Sequence, residues 1–219
     1  MRKLVVNAFV TLDGVMQAPG GPEEDPSGGF THGGWGVTQF DDVMVEKIGE
    51  GMGQPFDLLL GRKTYEIFAA HWPYVEGPFA DALNGATKYV ASRTLDSVDW
   101  QNSKLIEGDV GEEVAKLKEA DGPVIQVQGS ATLIQTLLEH DLVDEFGLMI
   151  FPVVLGTGKR VFGDGAIPAG LRLKDSKMST TGVILTTYER AGDVEYGSAA
   201  LEEPTEAEIQ RRERQLAER

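Results

Sequence analysis

Short apolar, β-branched runs recur along this chain, each ending at a glycine or a hydroxyl residue and giving way to a stretch of helical periodicity. That alternation restricts the fold more than any other feature, because strands joined through helices pair in parallel. Residues 4–12 (LVVNAFVTL) read as a buried first strand stopped by Asp13-Gly14. Residues 57–60 (DLLL), 88–92 (KYVAS) and 124–127 (VIQV) read likewise, with a shorter strand expected over 103–107. Helices are expected over 41–52, where Met44, Ile48 and Met52 recur at a spacing of four, and over 63–70, 79–83, 112–120 and 131–138. The pattern then changes. Residues 145–151 and 171–188 are strand-like, the latter a hairpin around Thr181-Gly182. The expected fold is α/β, with a mainly parallel central sheet, antiparallel C-terminal strands and flanking helices.

Two stretches stand outside the alternation. Residues 17–36 (QAPGGPEEDPSGGFTHGGWG) are too rich in Gly and Pro for a regular element, and loops of that length commonly form lids or binding loops. After about residue 191 the chain becomes highly charged. Thr205 and Glu208 have capping-box spacing, so 192–219 reads as an extension to a 1–191 domain, with a helix that frays or docks weakly through Ile209 and Leu216, here or on a neighbouring subunit.

Composition removes several functions. There is no Cys, which excludes disulfides, thiolate metal sites and a cysteine nucleophile; the three His are scattered without ligand spacing, so no metal is expected. A formal charge of −15 argues against nucleic acid and against an anionic membrane surface. Screening over ~8–10 Å still leaves room for a local basic pocket. With no long apolar run and no cleavage-site pattern in MRKLVVNAFVTLDG, a cytoplasmic protein is expected.

Three strand ends carry anion-receiving chemistry. Gly61-Arg62-Lys63-Thr64 follows DLLL and opens a helix, whose free N–H groups suit phosphate; the plain alternative is a helix start with two solvated bases. Ser92-Arg93-Thr94 closes KYVAS, where Arg93 could fork onto a phosphate; alone it is an ordinary polar turn. Gly129-Ser130-Ala131-Thr132 repeats the arrangement after VIQV. No phosphate-binding P-loop and no G-x-G-x-x-G follows any strand.

FVTLDG, GRKTYEIF, KYVASRTL and VQGSATLIQTLLEHDLVDEFGLMIFPVVLGTGKRVF together resemble the dihydrofolate reductase superfamily. More closely they resemble the riboflavin-biosynthesis reductase domain, the C-terminal half of a bifunctional deaminase–reductase, over about residues 2–190. The resemblance implies a dihydrofolate-reductase-like three-layer fold, a homodimer and NADPH as cofactor. It further implies that Gly61, Arg62, Lys63 and Thr64 receive cofactor phosphates, Ser92 and Arg93 the adenosine 2′-phosphate, and Gly129, Ser130, Ala131 and Thr132 the pyrophosphate. Ala8, Asp13, Gly14 and Val15 would border the nicotinamide. The chain departs from the riboflavin enzymes at residues 65–73 (YEIFAAHWP), where they carry an acid-acid-Pro element, and it contains no deaminase half.

The expected activity is therefore NADPH-dependent reduction of a small planar heterocycle or another C=N or C=O compound. The alternatives are 5-amino-6-(5-phosphoribosylamino)uracil reduction and NADPH binding without catalysis. On the substrate side Asp41 is the candidate proton-handling acid, with Asp42 beside it, although an acid at a helix start is the commoner role. Trp35 could stack on the substrate or pin its loop to the core. Tyr65 and Trp72 could line the pocket or the core.

Overall fold

The computed structural model describes residues 1–163 and 166–218; positions 164, 165 and 219 lie outside it. Eight strands form one sheet: β1 (Leu4–Thr11), β2 (Phe56–Gly61), β3 (Lys88–Ala91), β4 (Ser103–Leu105), β5 (Val124–Gln128), β6 (Glu145–Phe151), β7 (Leu171–Met178) and β8 (Ile184–Arg190). The helices are α1 (Asp42–Met52), α2 (Arg62–Ala69), α3 (Pro78–Gly85), α4 (Val110–Glu119), α5 (Ala131–Glu139) and α6 (Glu206–Ala217). Every strand and helix expected from the alternation is present, with ends shifted by a residue or two. The long 17–36 loop additionally contains a short 3-10 turn at Ser27–Gly29.

The strand order is β4-β3-β2-β5-β1-β6-β8-β7. From β4 through β6 all neighbours are parallel, while β8 runs antiparallel to β6, and β7 to β8. The expected parallel sheet with antiparallel C-terminal strands is thus the observed one.

Alternating side chains divide the sheet into two faces. Leu4, Val6, Ala8 and Val10 of β1, Leu59 of β2, and Ile125 and Val127 of β5 pack with α4 and α5. Leu58 and Leu60 turn the other way, joining Tyr65, Leu83, Val90 and Trp100 beneath α2 and α3. Helices on both faces of one sheet make the three-layer, dihydrofolate-reductase-like arrangement. On the second face Val5, Asn7 and Phe9 of β1 are only half-buried, with α1 standing over part of it through Met44 and the Gly51 carbonyl.

Two ionic ties close the sheet's amino-terminal edge. Arg2, buried, pairs with Asp57, and Lys118 Nζ donates to Asp144 at 2.6 Å. The tail helix α6 is capped by Thr205, which accepts from the Glu208 amide, yet it buries no residue. Ile209 and Leu216 are exposed, so among the described residues the helix has no docking partner.

Candidate functional site

The carboxyl ends of the parallel strands share one edge of the sheet, and a cleft of about 1700 Å³ runs along it and between the half-buried face and α1. Because β3, β2 and β5 are successive neighbours, their three strand ends stand side by side. Gly61, Arg62, Lys63, Thr64, Ser92, Arg93, Gly129, Ser130, Ala131 and Thr132 all line the cleft, together with Ala8. Ligand sites in open α/β sheets lie outside such strand ends.

Local backbone shapes this edge. Gly129 and Ser130 both have positive φ, +88° and +70°, so the chain makes a tight concave turn between β5 and α5. For a serine the conformation costs of order 1–3 kcal/mol. Two hydrogen-bonding partners hold it there: Ser130 Oγ accepts from the Gly61 amide at 3.0 Å and lies 2.6 Å from Thr64 Oγ1. Gly61 must be glycine for that contact, since a Cβ would stand 2.5 Å from Ser130 Oγ. As a result α2 and α5 begin without a side-chain cap, whereas Asp41, Asp109 and Thr205 cap α1, α4 and α6. Uncapped N-termini facing a cleft leave N–H donors for an anion. Ser92 Oγ accepts from the amides of Thr94 and Leu95 and so fixes the turn that carries Arg93.

The floor of the cleft is a row of carboxamides. Gln126 Oε1 accepts from Gln128 Nε2 at 3.3 Å and from Asn7 Nδ2 at 3.4 Å, while Gln126 Nε2 donates to the Gly51 carbonyl at 2.9 Å. Asn7 and Gln128 are register partners on β1 and β5. Phe9, Met149 and Ile48 supply apolar surface beside them. Sequence reading missed this row. Its signal was available: Gln126 and Gln128 at alternate positions of VIQVQ, and Asn7 within an apolar first strand, mark a strand face that is not wholly buried.

Loop 17–36 forms one wall. Asp25 accepts from Lys63 Nζ at 3.2 Å, and its other oxygen pairs with Lys159, which also donates to Ser27 Oγ at 2.8 Å. Burial alone would push the Asp25 carboxyl up; the hydrogen bonds from Lys159, Ser27 and Lys63 outweigh it and hold it down at about 2. Glu24, nearby in the same wall, is pushed up by burial despite accepting from the Gly20 and Gly21 amides. Neither lysine ligation by this loop nor Lys159 itself was expected.

Several expected site residues stand elsewhere. Asp41 caps α1, accepting from the Met44 amide at 3.0 Å, and its other oxygen accepts from the Thr180 amide and hydroxyl at 2.6 and 2.8 Å. It does not line the cleft. Although desolvation pushes its carboxyl up, those hydrogen bonds keep it below the usual range, the opposite of what a proton donor needs. Trp35 donates Nε1 to the Gln17 carbonyl at 2.7 Å and meets Phe151 edge-on, so it pins the loop. Tyr65 is buried, its hydroxyl accepting from the Trp100 amide at 3.0 Å. Trp72 does line the cleft.

Asp13, Gly14 and Val15 are also outside the cleft lining. Asp13 accepts from Thr11 Oγ1 and from the Leu155 and Gly156 amides, and Val15 is fully buried beside Gly158. Their role is to brace the turn after β1 against residues 155–161.

Known proteins resemble this chain in sequence and in fold. The chain is 32% identical to the uncharacterised protein YyaP of Bacillus subtilis over 200 residues, covering 87% of this chain and 96% of that one. A protein of Shewanella sp. PV-4 provisionally assigned to riboflavin biosynthesis superposes with a TM-score of 0.61 at 22% identity, over 86% of this chain and 99% of that one. The diaminohydroxyphosphoribosylaminopyrimidine deaminase/5-amino-6-(5-phosphoribosylamino)uracil reductase of Thermotoga maritima superposes with a TM-score of 0.57 at 15% identity, over 87% of this chain and 57% of that one. Residues 2–185 match the family described as the RibD C-terminal domain, and the chain belongs to that family.

Proposed function

We propose that this protein is a reductase that takes NADPH along the β3-β2-β5 strand ends and reduces a small planar heterocycle lying on the carboxamide floor. The observation that carries this reading is the adjacency of three strand ends rich in glycine, hydroxyls and cations next to a half-buried, amide-lined sheet face. The fit is physical. The Gly129–Ser130 concavity and the uncapped start of α2 present N–H groups to phosphate oxygens, and Arg93 supplies the planar fork suited to a 2′-phosphate. Arg62, currently 3.1 Å from both Glu66 oxygens, is a second cation at the same edge.

When bound, the nicotinamide ring supplies a hydride. The chain's own residues orient and exclude water. Asn7 and Gln128 keep carbonyl oxygens without a partner among the described residues, so they can accept from ring N–H groups while their amides donate to ring carbonyls. Phe9, Met149 and Trp72 close apolar surface around the ring. Glu24 lines the cleft with a carboxyl that burial pushes up, whereas Asp41 lies outside the cleft lining with its carboxyl held down by hydrogen bonds.

Titration of NADPH and NADH, followed by nicotinamide fluorescence, tests the reading. NADPH is expected to bind at least about tenfold more tightly than NADH, the effect of one charge-assisted pair with Arg93. Arg93→Ala is expected to remove most of that difference while leaving NADH nearly unchanged. Equal loss for both, or no binding of either, overturns it. NADPH oxidation in the presence of folates, pterins and ribosylaminouracil compounds then identifies the acceptor.

A further inference from the structure

In the cleft wall two ammonium groups and a hydroxyl converge on one carboxylate. Lys63 stands in the first turn of α2 and Lys159 follows β6, 96 positions later in the chain, yet both reach Asp25. Asp25 Oδ1 also accepts from Ser27 Oγ at 2.6 Å and from the Ser27 amide at 3.2 Å. A single carboxylate balances only one of the two lysine charges. All three charged side chains line the cleft, and the two lysines are about half-exposed.

The aspartate is held there by the fold and not by the lysines alone. Gln17, itself buried, donates Nε2 to the Asp25 and Ser27 carbonyls at 2.9 Å each, and its Oε1 accepts from the Lys159 amide at 3.0 Å. Trp35 in turn fixes the Gln17 carbonyl. The loop backbone is thereby locked, while the lysines, about half-exposed, reach Asp25 through their terminal ammonium groups. We propose that Lys63 and Lys159 form an anion subsite for a phosphate group of a cleft ligand, and that the Asp25 carboxylate occupies it between ligands.

A phosphate group brings more charge and more acceptor oxygens than a carboxylate, so it displaces Asp25 from the lysines. Because the loop keeps Asp25 at a constant effective concentration, the carboxylate acts as a built-in competitor that lowers affinity for every phosphate ligand and hastens its release. The proposal rests on the NADPH reading only for the source of the phosphate, which is either the cofactor's pyrophosphate or a phosphate carried by the substrate.

Calorimetric titration of inorganic pyrophosphate, NADPH and ribose 5-phosphate into the wild type, Asp25→Asn and Lys159→Met tests it. Asp25→Asn is expected to bind pyrophosphate about threefold more tightly, the scale of a half-exposed ion pair, and Lys159→Met about threefold more weakly. A gain for NADPH but not ribose 5-phosphate assigns the subsite to the cofactor; the reverse assigns it to the substrate. Pyrophosphate binding that is unchanged or weaker in Asp25→Asn overturns the proposal. Tighter pyrophosphate binding alongside no NADPH binding by any form upholds the subsite and removes the NADPH reading. Glutamyl-endopeptidase cleavage at Glu23 and Glu24 checks the loop. An unchanged rate in Asp25→Asn supports Gln17 as its anchor; faster cleavage with no gain in affinity makes Asp25 a structural tie and overturns the competitor role.

Discussion

Asp41 shows why residue type and position are insufficient to assign chemistry. As an acid at the start of the first helix it met the pattern of a substrate carboxylate, but both its oxygens are engaged, one by the Met44 amide and one by Thr180 across the β7–β8 turn. Asp41→Ala removes the cap and the tie together. It is expected to cost about 0.5–2 kcal/mol of stability by loss of the cap, seen as a lower melting temperature. The pH profile of kcat/KM for NADPH oxidation is expected to be unchanged; a profile that loses a limb would place Asp41 in the chemistry. Trp35 and Tyr65 teach the same lesson from the aromatic side. Each had two readings in the sequence, and in each the polar tip finds a backbone partner and the ring a core neighbour.

At the scale of elements, the junction between β2 and α2 and that between β5 and α5 work as one unit, because Ser130 bridges them through the Gly61 amide and Thr64. That bridge is what leaves both helix starts uncapped. Gly61→Ala would drive a Cβ to 2.5 Å from Ser130 Oγ and 2.7 Å from its Cβ, so one junction must shift. The expected result is at least about a tenfold loss of NADPH affinity, read by fluorescence titration, with the near-UV circular dichroism of a folded protein retained. Undiminished affinity would mean that the junction is not part of the cofactor site. The strand-to-helix glycine and the hydroxyls were legible beforehand as three separate signals. Their coupling was not, since nothing in the sequence pairs position 61 with position 130.

For the molecule as a whole, two ionised aspartates beside the cleft are held by ties to distant parts of the chain. Hydrogen bonding from Thr11 and the Gly156 and Leu155 amides holds the Asp13 carboxyl at about 2, against partial desolvation. Asp25 is held at about 2 by Lys159, Ser27 and Lys63, while Gln17 keeps its loop in place. A carboxyl whose folded value lies below its unfolded one stabilises the fold above the unfolded value near 4, and that stabilisation is lost as the pH falls toward 2. Melting temperature is therefore expected to be flat from pH 7 to about 5 and to fall between about pH 4 and 2, with amides of residues 13–16 and 155–161 exchanging first. A melting temperature that stays flat down to pH 2.5 would count against these ties. By itself the sequence determined the number and kind of elements, the parallel character of the sheet and the chemistry at each strand end, because periodicity, turn residues and helix starts are local properties. Only the tertiary structure decided that β3, β2 and β5 are neighbours, that Asn7, Gln126 and Gln128 form one floor, and that Asp25 meets Lys63 and Lys159. Those outcomes depend on strand order and on which face each side chain takes, and both are set by how the apolar faces of distant segments pack together.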